Sequence, residues 1–396
     1  MSAAFMRRRG VVAKRPAGID PTPNPTDPDA IYKPVSYASL SEARAALNAP
    51  AGANYVMWNH DGQSLEQVFA SLSANDILVL PERAEPYPID TSNGFMASGV
   101  GSITGPDDTR TPIVSNSRLW FAMCRARRGI LGLGPNAVIQ PSNSGWSAPQ
   151  QPKPMYAYST SGAQMQELVG AQNKLIEVEH AQPFFANFTL KGRDLGGVAY
   201  SGIGVGSGKD LTLRRVHFDE AWRGFAGVPN GETGGFGING STYTIANCLF
   251  TPNLVEGPSP IMWNRTTGGT MSNVKVEKHN IGMMTFWRCE GVNVFTNVHT
   301  RGHKIGINLE ENIDFELQWN GGSMILDSGI GAFHLNINPA DISERITLTN
   351  VEASLNGYTA GALSAHVYTT AGVQKRSDVT WDGGTISYLP SSNWIA

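Results

Sequence analysis

The chain has 396 residues, a formal net charge of −3 and a charged fraction of 16%. This balance excludes a protein that binds nucleic acid through overall positive charge, and we expect no nucleic-acid partner. No apolar run approaches the roughly 18 residues of a transmembrane helix, and no apolar stretch follows the basic N-terminus as in a secretory signal peptide. We therefore expect no membrane insertion. Three dispersed cysteines are too few for a disulfide framework, so burial must stabilise the fold.

Residues 1–35 are predicted to form an extended arm. The arm begins with five basic side chains and no acidic one, namely Arg7, Arg8, Arg9, Lys14 and Arg15. The segment GIDPTPNPTDPDA then supplies four prolines, which remove backbone donors and prevent regular structure. A segment of this composition does not fold alone, so we expect it to dock on a partner.

Two short helices are predicted between residues 36 and 75, and we interpret this region as a helical cap. Ser39 and Glu42 have the spacing of a capping box before ARAALNA, and Ser64 and Gln67 repeat it before apolar residues at i, i+3, i+4 and i+7. The remainder, residues 76–396, begins with DILVLPE, an apolar strand that ends at a proline. RGILGLGPNAVIQPS then predicts further short strands broken by glycine and proline.

A repeat of about 28 residues runs from residue 185 onward. Each copy carries an apolar anchor residue just after a polar bend. A second motif, in IGMMTF, IGINLE, IGAFHL and AGALSA, starts six to nine residues after its anchor. Two motifs in matching phase predict a solenoid of stacked rungs. The anchors are Phe188, Val216, Cys248, Val274, Val298, Met324, Val351 and Ile386.

An asparagine precedes the anchor in five of these copies. Asparagine tolerates the left-handed backbone conformation that a sharp bend requires. When rungs stack at the strand spacing of about 4.8 Å, their amides can hydrogen-bond from rung to rung. The sequence therefore predicts a structural asparagine ladder formed by Asn187, Asn247, Asn273, Asn297 and Asn350.

These repeats resemble the pectate-lyase-like architecture, and we predict an all-β fold: a right-handed, single-stranded parallel β-helix. The apolar helix near residues 64–73 resembles the N-terminal cap with which such folds close the open end of the barrel. With its extended arm, the chain resembles bacteriophage tail proteins, namely tailspikes, tail fibres and the minor tail proteins of phages that infect actinobacteria. The resemblance covers roughly residues 75–396 and is one of architecture, without a catalytic signature.

The resemblance has several functional implications. It implies a virion protein that is made in the host cytoplasm and acts outside the cell. It implies attachment to other tail proteins through residues 1–35, a homotrimeric assembly, and a β-helix that contacts host cell-surface glycan. Enzymatic alternatives are a depolymerase (hydrolase or lyase) acting on capsule or cell-wall glycan, and a cellular pectate-lyase-like enzyme. The second alternative is disfavoured because no export signal is visible.

The repeat phase places charged residues in columns on the outer surface. Three positions after their anchors, Glu277, Arg301 and Asp327 are expected to stack on successive rungs. As a glycosidase pair, Glu277 and Asp327 would lie about 9–10 Å apart, at the upper limit for inverting enzymes. Arg301 between them would keep both ionised, which is wrong for a general acid. We therefore favour a salt ladder over catalysis and predict no glycan cleavage.

Two further sets of side chains are weaker candidates for ligand contact. His279 and His303 are each five residues past an anchor and are expected to stack; they suit a metal, a lyase-type base or a surface pair, and we favour the surface pair because no third ligand shares their column. Trp287 and Trp319 lie in or beside the repeats and are candidate platforms for sugar rings. No phosphate loop, nucleophile elbow or EF-hand is present, so we expect neither cofactor nor metal.

Overall fold

A computed structural model describes the protein over residues 27–59, 62–90, 95–96, 121–142, 156–158, 165–167, 173–178, 180–192, 201–205, 209–220, 225–227, 242–251, 261–264, 266–279, 282–287, 289–302, 305–310, 312, 314–326, 331–336, 345–355, 367–369, 372–373 and 379–382. The basic cluster of the predicted arm (Arg7, Arg8, Arg9, Lys14 and Arg15) lies outside the described residues, as do His303, Asp327 and Ile386.

Two short helices lie near the N-terminus, α1 (Leu40–Ala46) and α2 (Leu65–Ser71). The capping box predicted for α2 is present, and the Gln67 side chain accepts from the Ser64 N–H at 3.0 Å. At α1 only half of the box forms: the Ser39 hydroxyl accepts from the Glu42 N–H at 3.2 Å, but the Glu42 carboxylate accepts from the Ala38 N–H at 2.8 Å. A single 3-10 turn, Ala30–Tyr32, precedes α1.

The described chain is otherwise built from short strands. In chain order they are β1 (Asn54–Met57), β2 (Asp76–Leu80), β3 (Tyr87–Ile89), β4 (Phe95–Met96), β5 (Phe121–Ala126), β6 (Gly129–Gly132), β7 (Val138–Pro141), β8 (Tyr156–Tyr158), β9 (Met165–Glu167), β10 (Asn173–Val178), β11 (Phe184–Ala186), β12 (Thr189–Lys191), β13 (Ser201–Val205), β14 (Asp210–Arg214) and β15 (His217–Asp219). They continue with β16 (Phe225–Gly227), β17 (Thr242–Ala246), β18 (Leu249–Thr251), β19 (Ile261–Asn264), β20 (Gly269–His279), β21 (Gly282–Trp287), β22 (Gly291–Gly302), β23 (Ile305–Glu310), β24 (Phe315–Leu326), β25 (Gly331–Asn336), β26 (Arg345–Leu355), β27 (Val367–Thr369), β28 (Gly372–Val373) and β29 (Val379–Asp382).

The strands stack in parallel into a β-helix, as the repeat predicted. A 16-stranded sheet contains the ladder β2, β6, β11, β14, β17, β20, β22, β24, β26 and β29, and an 11-stranded sheet contains β5, β10, β13, β16, β19, β21, β23, β25 and β27. In the early rungs a bend divides the first sheet into pairs such as β11 and β12, whereas β20, β22, β24 and β26 run through it. Antiparallel pairing occurs only at β4–β5, β8–β9 and β27–β28 among the described strands.

The barrel interior is a single apolar column. Val274 and Val298 are register partners and fully buried, and Val351 is buried in the same column. Rings stack from rung to rung as well: Phe218 and Phe250 are register partners, and their ring centroids lie 4.7 Å apart. Helix α2 closes the N-terminal end, because its Leu65, Val68 and Phe69 join the same core. This is the role predicted for the cap.

One predicted anchor is wrong by two positions. Val298 pairs with Gly322, and Gly322 pairs with Val351, so Gly322 and not Met324 is the anchor of its rung. The physical reason is the close approach of neighbouring backbone: a Cβ on Gly322 would lie 2.0 Å from the Val298 carbonyl oxygen, and its φ is +107°. Only glycine fits there, so no apolar side chain marks the phase.

Candidate functional site

The bends of successive rungs form one column of left-handed residues, the bend column. It comprises Asn187, Arg215, Asn247, Asn273, Asn297, Gly321 and Asn350, all with φ between 51° and 69°. The Asn273 amide donates to the Asn247 side-chain oxygen at 3.1 Å, and Asn297 donates to Asn273 at 2.8 Å. The asparagines are thus linked in the middle of the column, while Arg215 and Gly321 interrupt the series.

The segment 27–37 lies along the bend column, and we name it the strap. At its C-terminal end the Tyr37 N–H donates to the Leu133 carbonyl at 2.9 Å. The next contact is on the following rung, where Val35 exchanges two hydrogen bonds of 2.8 Å with the buried Asn187 amide. The bend residue on the rung after Asn187 is Arg215 and not an asparagine, so the strap supplies hydrogen-bond partners for the Asn187 amide instead.

The strap then crosses further rungs. Arg215, which is 3% exposed, donates through Nη1 to the carbonyls of Lys33 at 2.9 Å and Ala30 at 3.3 Å. Beyond it, Asp29 forms a 2.7 Å ion pair with Lys275 on β20. From its N-terminal to its C-terminal end, the strap thus runs from the middle of the β-helix back to the first rungs, opposite to the direction in which the rungs are added. Residues 27–35 of the predicted arm are therefore docked on the β-helix of the same chain.

The ion pair at the strap is part of a small network. Lys275 bridges Asp29 at 2.7 Å and Glu277 at 2.6 Å, and Lys33 contacts Asp27 at 3.0 Å within the strap. Burial acts to lower the pKa of Lys275, but hydrogen bonds to both carboxylates outweigh it, so the pKa is raised above its ordinary value. Lys275 is therefore fully charged at neutral pH and fixes the strap electrostatically.

Two histidines, His217 and His299, lie on the surface of the β-helix beside the strap. His217 Nε2 lies 3.0 Å from the Thr251 hydroxyl and 4.0 Å from Asp219. His299 packs edge-on against Tyr32 of the strap, with ring centroids 6.5 Å apart. Burial lowers the pKa of both imidazoles, so both are neutral at pH 7.

The predicted carboxylate column does not form as expected. Glu277 and Arg301 are register partners, but Arg301 pairs next with Ile325, which is apolar. The prediction that Asp327 follows Arg301 is therefore wrong. It placed the anchor of this rung at Met324 instead of Gly322, which displaced every expected partner on the rung by two residues. Glu277 forms a 2.6 Å ion pair with Lys275, so its carboxylate is engaged in the network that fixes the strap.

The remaining candidates for ligand contact, His279, Trp287 and Trp319, do not form a common site in the described part of the chain. His279 is the last residue of β20, where a register shift pairs it with Gly302, and Trp287 ends β21. Trp319 is fully buried and donates through its indole N–H to the Gly321 carbonyl at 3.0 Å. Trp319 is therefore a core residue, and the prediction that it stacks on a glycan is wrong.

The sheet before the bend presents an outer surface that the sequence analysis did not identify, and we name it the polar face. Its two outward columns consist of hydroxyl and amide side chains with a single apolar member. Register pairing aligns Thr244, Thr270, Val294, Gln318 and Thr347 in one column and Ser272, Thr296, Asn320 and Thr349 in the other. All nine are half-buried or exposed and none is charged. The signal in sequence was the pair of polar residues two positions apart in each rung.

The polar face is bounded by charge on the side away from the bend. Arg345 and Glu316 form a 2.8 Å ion pair there, and Gln318 donates to Glu316 at 2.6 Å. Because the neighbouring rungs are about 4.8 Å apart, hydrogen-bonding groups repeat along the axis at that interval. Such a surface offers alternating donors and acceptors without a fixed charge.

Within the described part of the chain, no cluster of three His, Cys, Asp or Glu side chains is placed to hold a metal ion. No described helix is long and apolar enough to span a membrane. In comparisons with known proteins, no family model, no curated protein and no solved structure matches the chain. The fold therefore defines the class, a parallel β-helix protein, and the residues alone carry the functional argument.

Proposed function

We propose that the protein is a structural component of a bacteriophage tail, of the minor tail, fibre or spike type, that presents its β-helix to host cell-surface glycan. The proposal rests on the combination of an N-terminal extension with a capped parallel β-helix. In it, the segment before the strap attaches the protein to other tail proteins, and the assembly is a homotrimer. The protein is made in the host cytoplasm and acts outside the cell.

The polar face is the single observation that carries the glycan-binding part of this proposal. Sugar hydroxyls are both donors and acceptors, and the hydroxyl and amide groups of Thr270, Thr296 and Asn320 provide complementary partners on successive rungs. A neutral surface with repeating polar groups suits an uncharged, linear polysaccharide that lies along the axis. Glycan binding on this face needs no catalytic group.

Binding of purified full-length protein to host cell-wall or capsular polysaccharide tests the proposal. Thr296→Lys with Asn320→Lys puts two long cations in the centre of the polar face and is expected to abolish retention on immobilised polysaccharide. Met57→Lys is the matched control, because Met57 is 40% exposed on β1, away from the face. Equal retention of both variants would contradict the assignment of the polar face.

A catalytic role is the competing proposal, and the surroundings of Glu277 do not support it. A depolymerase of the glycoside hydrolase type requires a pair of free carboxyl groups flanking the scissile bond. Glu277 is instead ion-paired with Lys275, which also binds Asp29 of the strap, so its carboxylate has a structural role. We therefore propose binding without cleavage of the glycan backbone.

A further inference from the structure

A directed chain of hydrogen bonds crosses the bend column and ends on a serine. The Asn297 amide donates to Asn273 at 2.8 Å, and Asn273 donates to Asn247 at 3.1 Å. The side-chain oxygen of Asn297 lies 2.9 Å from His299 Nε2, and His299 Nδ1 lies 3.0 Å from the Ser323 hydroxyl. Four side-chain hydrogen bonds therefore link Asn247 to Ser323 through one imidazole.

The chain determines the protonation pattern of that imidazole. Because the Asn297 amide nitrogen donates to Asn273, its oxygen faces His299 and can only accept. His299 must then carry its proton on Nε2, which leaves Nδ1 as the acceptor for the Ser323 hydroxyl. A hydroxyl bonded to a base whose second nitrogen is fixed by a third group is the arrangement of an activated nucleophile.

The bend column is open beside this serine. On the rung of Ser323 the bend residue is Gly321, where the rungs on either side have Asn297 and Asn350. A Cβ built on Gly321 would meet nothing within 4 Å. The bend column therefore carries no side chain on the rung of the half-buried Ser323.

We propose that Ser323 is the nucleophile of an acyl-transfer site for carboxylic esters, with His299 as general base and Asn297 as positioning residue. The Ser323 oxygen bonds to the ester carbonyl carbon while its proton passes to His299 Nδ1. The bond from that carbon to the alkoxide then breaks, and the alkoxide takes the proton from Nδ1. Water, deprotonated by the same nitrogen, attacks the acyl carbon; the bond from that carbon to the Ser323 oxygen breaks, Ser323 takes the proton back from Nδ1, and the carboxylic acid is released.

The proposal does not depend on the phage assignment and does not conflict with it, because removal of an acyl group leaves a glycan backbone intact. The small ester p-nitrophenyl acetate and an O-acetylated polysaccharide share the chemistry. Release of nitrophenol from the first tests the site itself, and release of acetate from the second distinguishes a glycan substrate from a soluble one.

A fluorophosphonate probe on the full chain gives the direct test. Attack by Ser323 displaces fluoride and leaves a phosphonyl adduct that peptide mass spectrometry locates. We expect the adduct on Ser323, its loss in Ser323→Ala, and labelling about 100-fold slower in His299→Gln, the scale of a general base. Gly321→Asn restores a side chain to the bend and is expected to slow labelling by closing the opening. Ser71→Ala is the control, because the Ser71 hydroxyl donates to a backbone carbonyl at 2.7 Å.

A positioning role for Asn297 has its own readout. Asn297→Asp places a carboxylate beside His299 and is expected to shift the pH midpoint of labelling upward, which a purely structural side chain would not do. Labelling of another residue, no adduct on the folded wild-type chain, or equal rates in wild type and Gly321→Asn would overturn the proposal. Thermal melting of each variant shows that the compared proteins are folded.

Discussion

Asp29 and Lys275 are 246 residues apart in sequence and form a 2.7 Å ion pair on the side of the β-helix. This pair fixes the strap near the middle of the rungs. Lys275→Met leaves Asp29 and Glu277 without their shared cation, so we expect docking of the strap to weaken by about 1 kcal/mol, or roughly fivefold. Hydrogen exchange of the Val35 amide, which donates to Asn187 in the docked strap, measures strap opening at pH 7.5. Arg345→Met breaks a comparable pair far from the strap, and equal acceleration in both variants would contradict the account.

Two truncations separate attachment from stability. Removal of residues 1–26 leaves the strap and is expected to keep the melting temperature while abolishing the proposed attachment to other tail proteins. Removal of residues 1–37 also strips Arg215 and Asn187 of their strap partners, at a cost of about 2 kcal/mol or more. The body should remain folded but melt earlier. Loss of the β-sheet circular dichroism signal after the shorter truncation would count against the docking hypothesis.

Docking of the strap is expected to weaken in acid. Both His217 and His299 have a pKa lowered by burial below the ordinary 6.5, so the undocked state takes up protons first as pH falls through 6.5. His217 faces Asp219, and Lys33 and Asp29 of the strap; His299 faces Lys275, Glu352 and Tyr32. The stability contribution is present above pH 6.5 and is lost below the lowered pKa.

Hydrogen exchange measures this acid effect. The Val35 and Tyr37 amides donate to Asn187 and Leu133, so their protection reports docking. After correction for intrinsic rates, protection should fall between pH 7.5 and 5.5, by about tenfold for each pH unit by which a histidine pKa is depressed. The double variant His217→Gln, His299→Gln should show a flat profile. A profile that stays as steep as wild type would refute the role of the histidines.

Two substitutions at Asn273 separate the contributions of its left-handed backbone and of its side-chain amide to the free energy of unfolding. Asn273 has φ +51° and joins Asn247 to Asn297. Asn273→Gly keeps the conformation and removes the amide, whereas Asn273→Ala loses both and is expected to cost about 1–2 kcal/mol more. Urea unfolding gives the two values. An alanine variant as stable as the glycine variant would show that the left-handed bend is not maintained.

The absence of glycan cleavage is a prediction with a simple assay. Incubation with host polysaccharide should produce no new reducing ends and no unsaturated uronate absorbance. Glu277→Gln and Asp327→Asn should leave this result and glycan retention unchanged. Turnover that disappears in either variant would establish a depolymerase instead.

The periodic part of the fold could be predicted because each rung repeats the same physical requirement. An inward anchor follows a left-handed bend, so Val274, Val298 and Val351 and the asparagines before them share one phase. The prediction failed at Gly322, where backbone packing excludes the side chain that would have marked the anchor. Because the anchor of that rung was placed two residues too late, Asp327 was predicted to follow Arg301 in the outer column, a position that Ile325 occupies.

The functional surfaces were harder to predict because they depend on contacts between distant segments. Nothing in the proline-rich segment reveals that Asp29 meets Lys275 or that Val35 bonds Asn187. Trp319 was assigned to the surface from its residue type, although the alternation with Leu317 places both inside. Ser323 and His299 come together only through the correct register, which the shifted anchor concealed.

A pair of introduced cysteines tests the central claim, the stacking of rungs in this register, most directly. Thr296 and Asn320 are exposed register partners on adjacent rungs, about 4.8 Å apart. Thr296→Cys with Asn320→Cys should form a disulfide under mild oxidation, since the native cysteines are buried. Thr296→Cys with Thr349→Cys, two rungs apart, should not. A disulfide in the second pair and none in the first would contradict the β-helix described here.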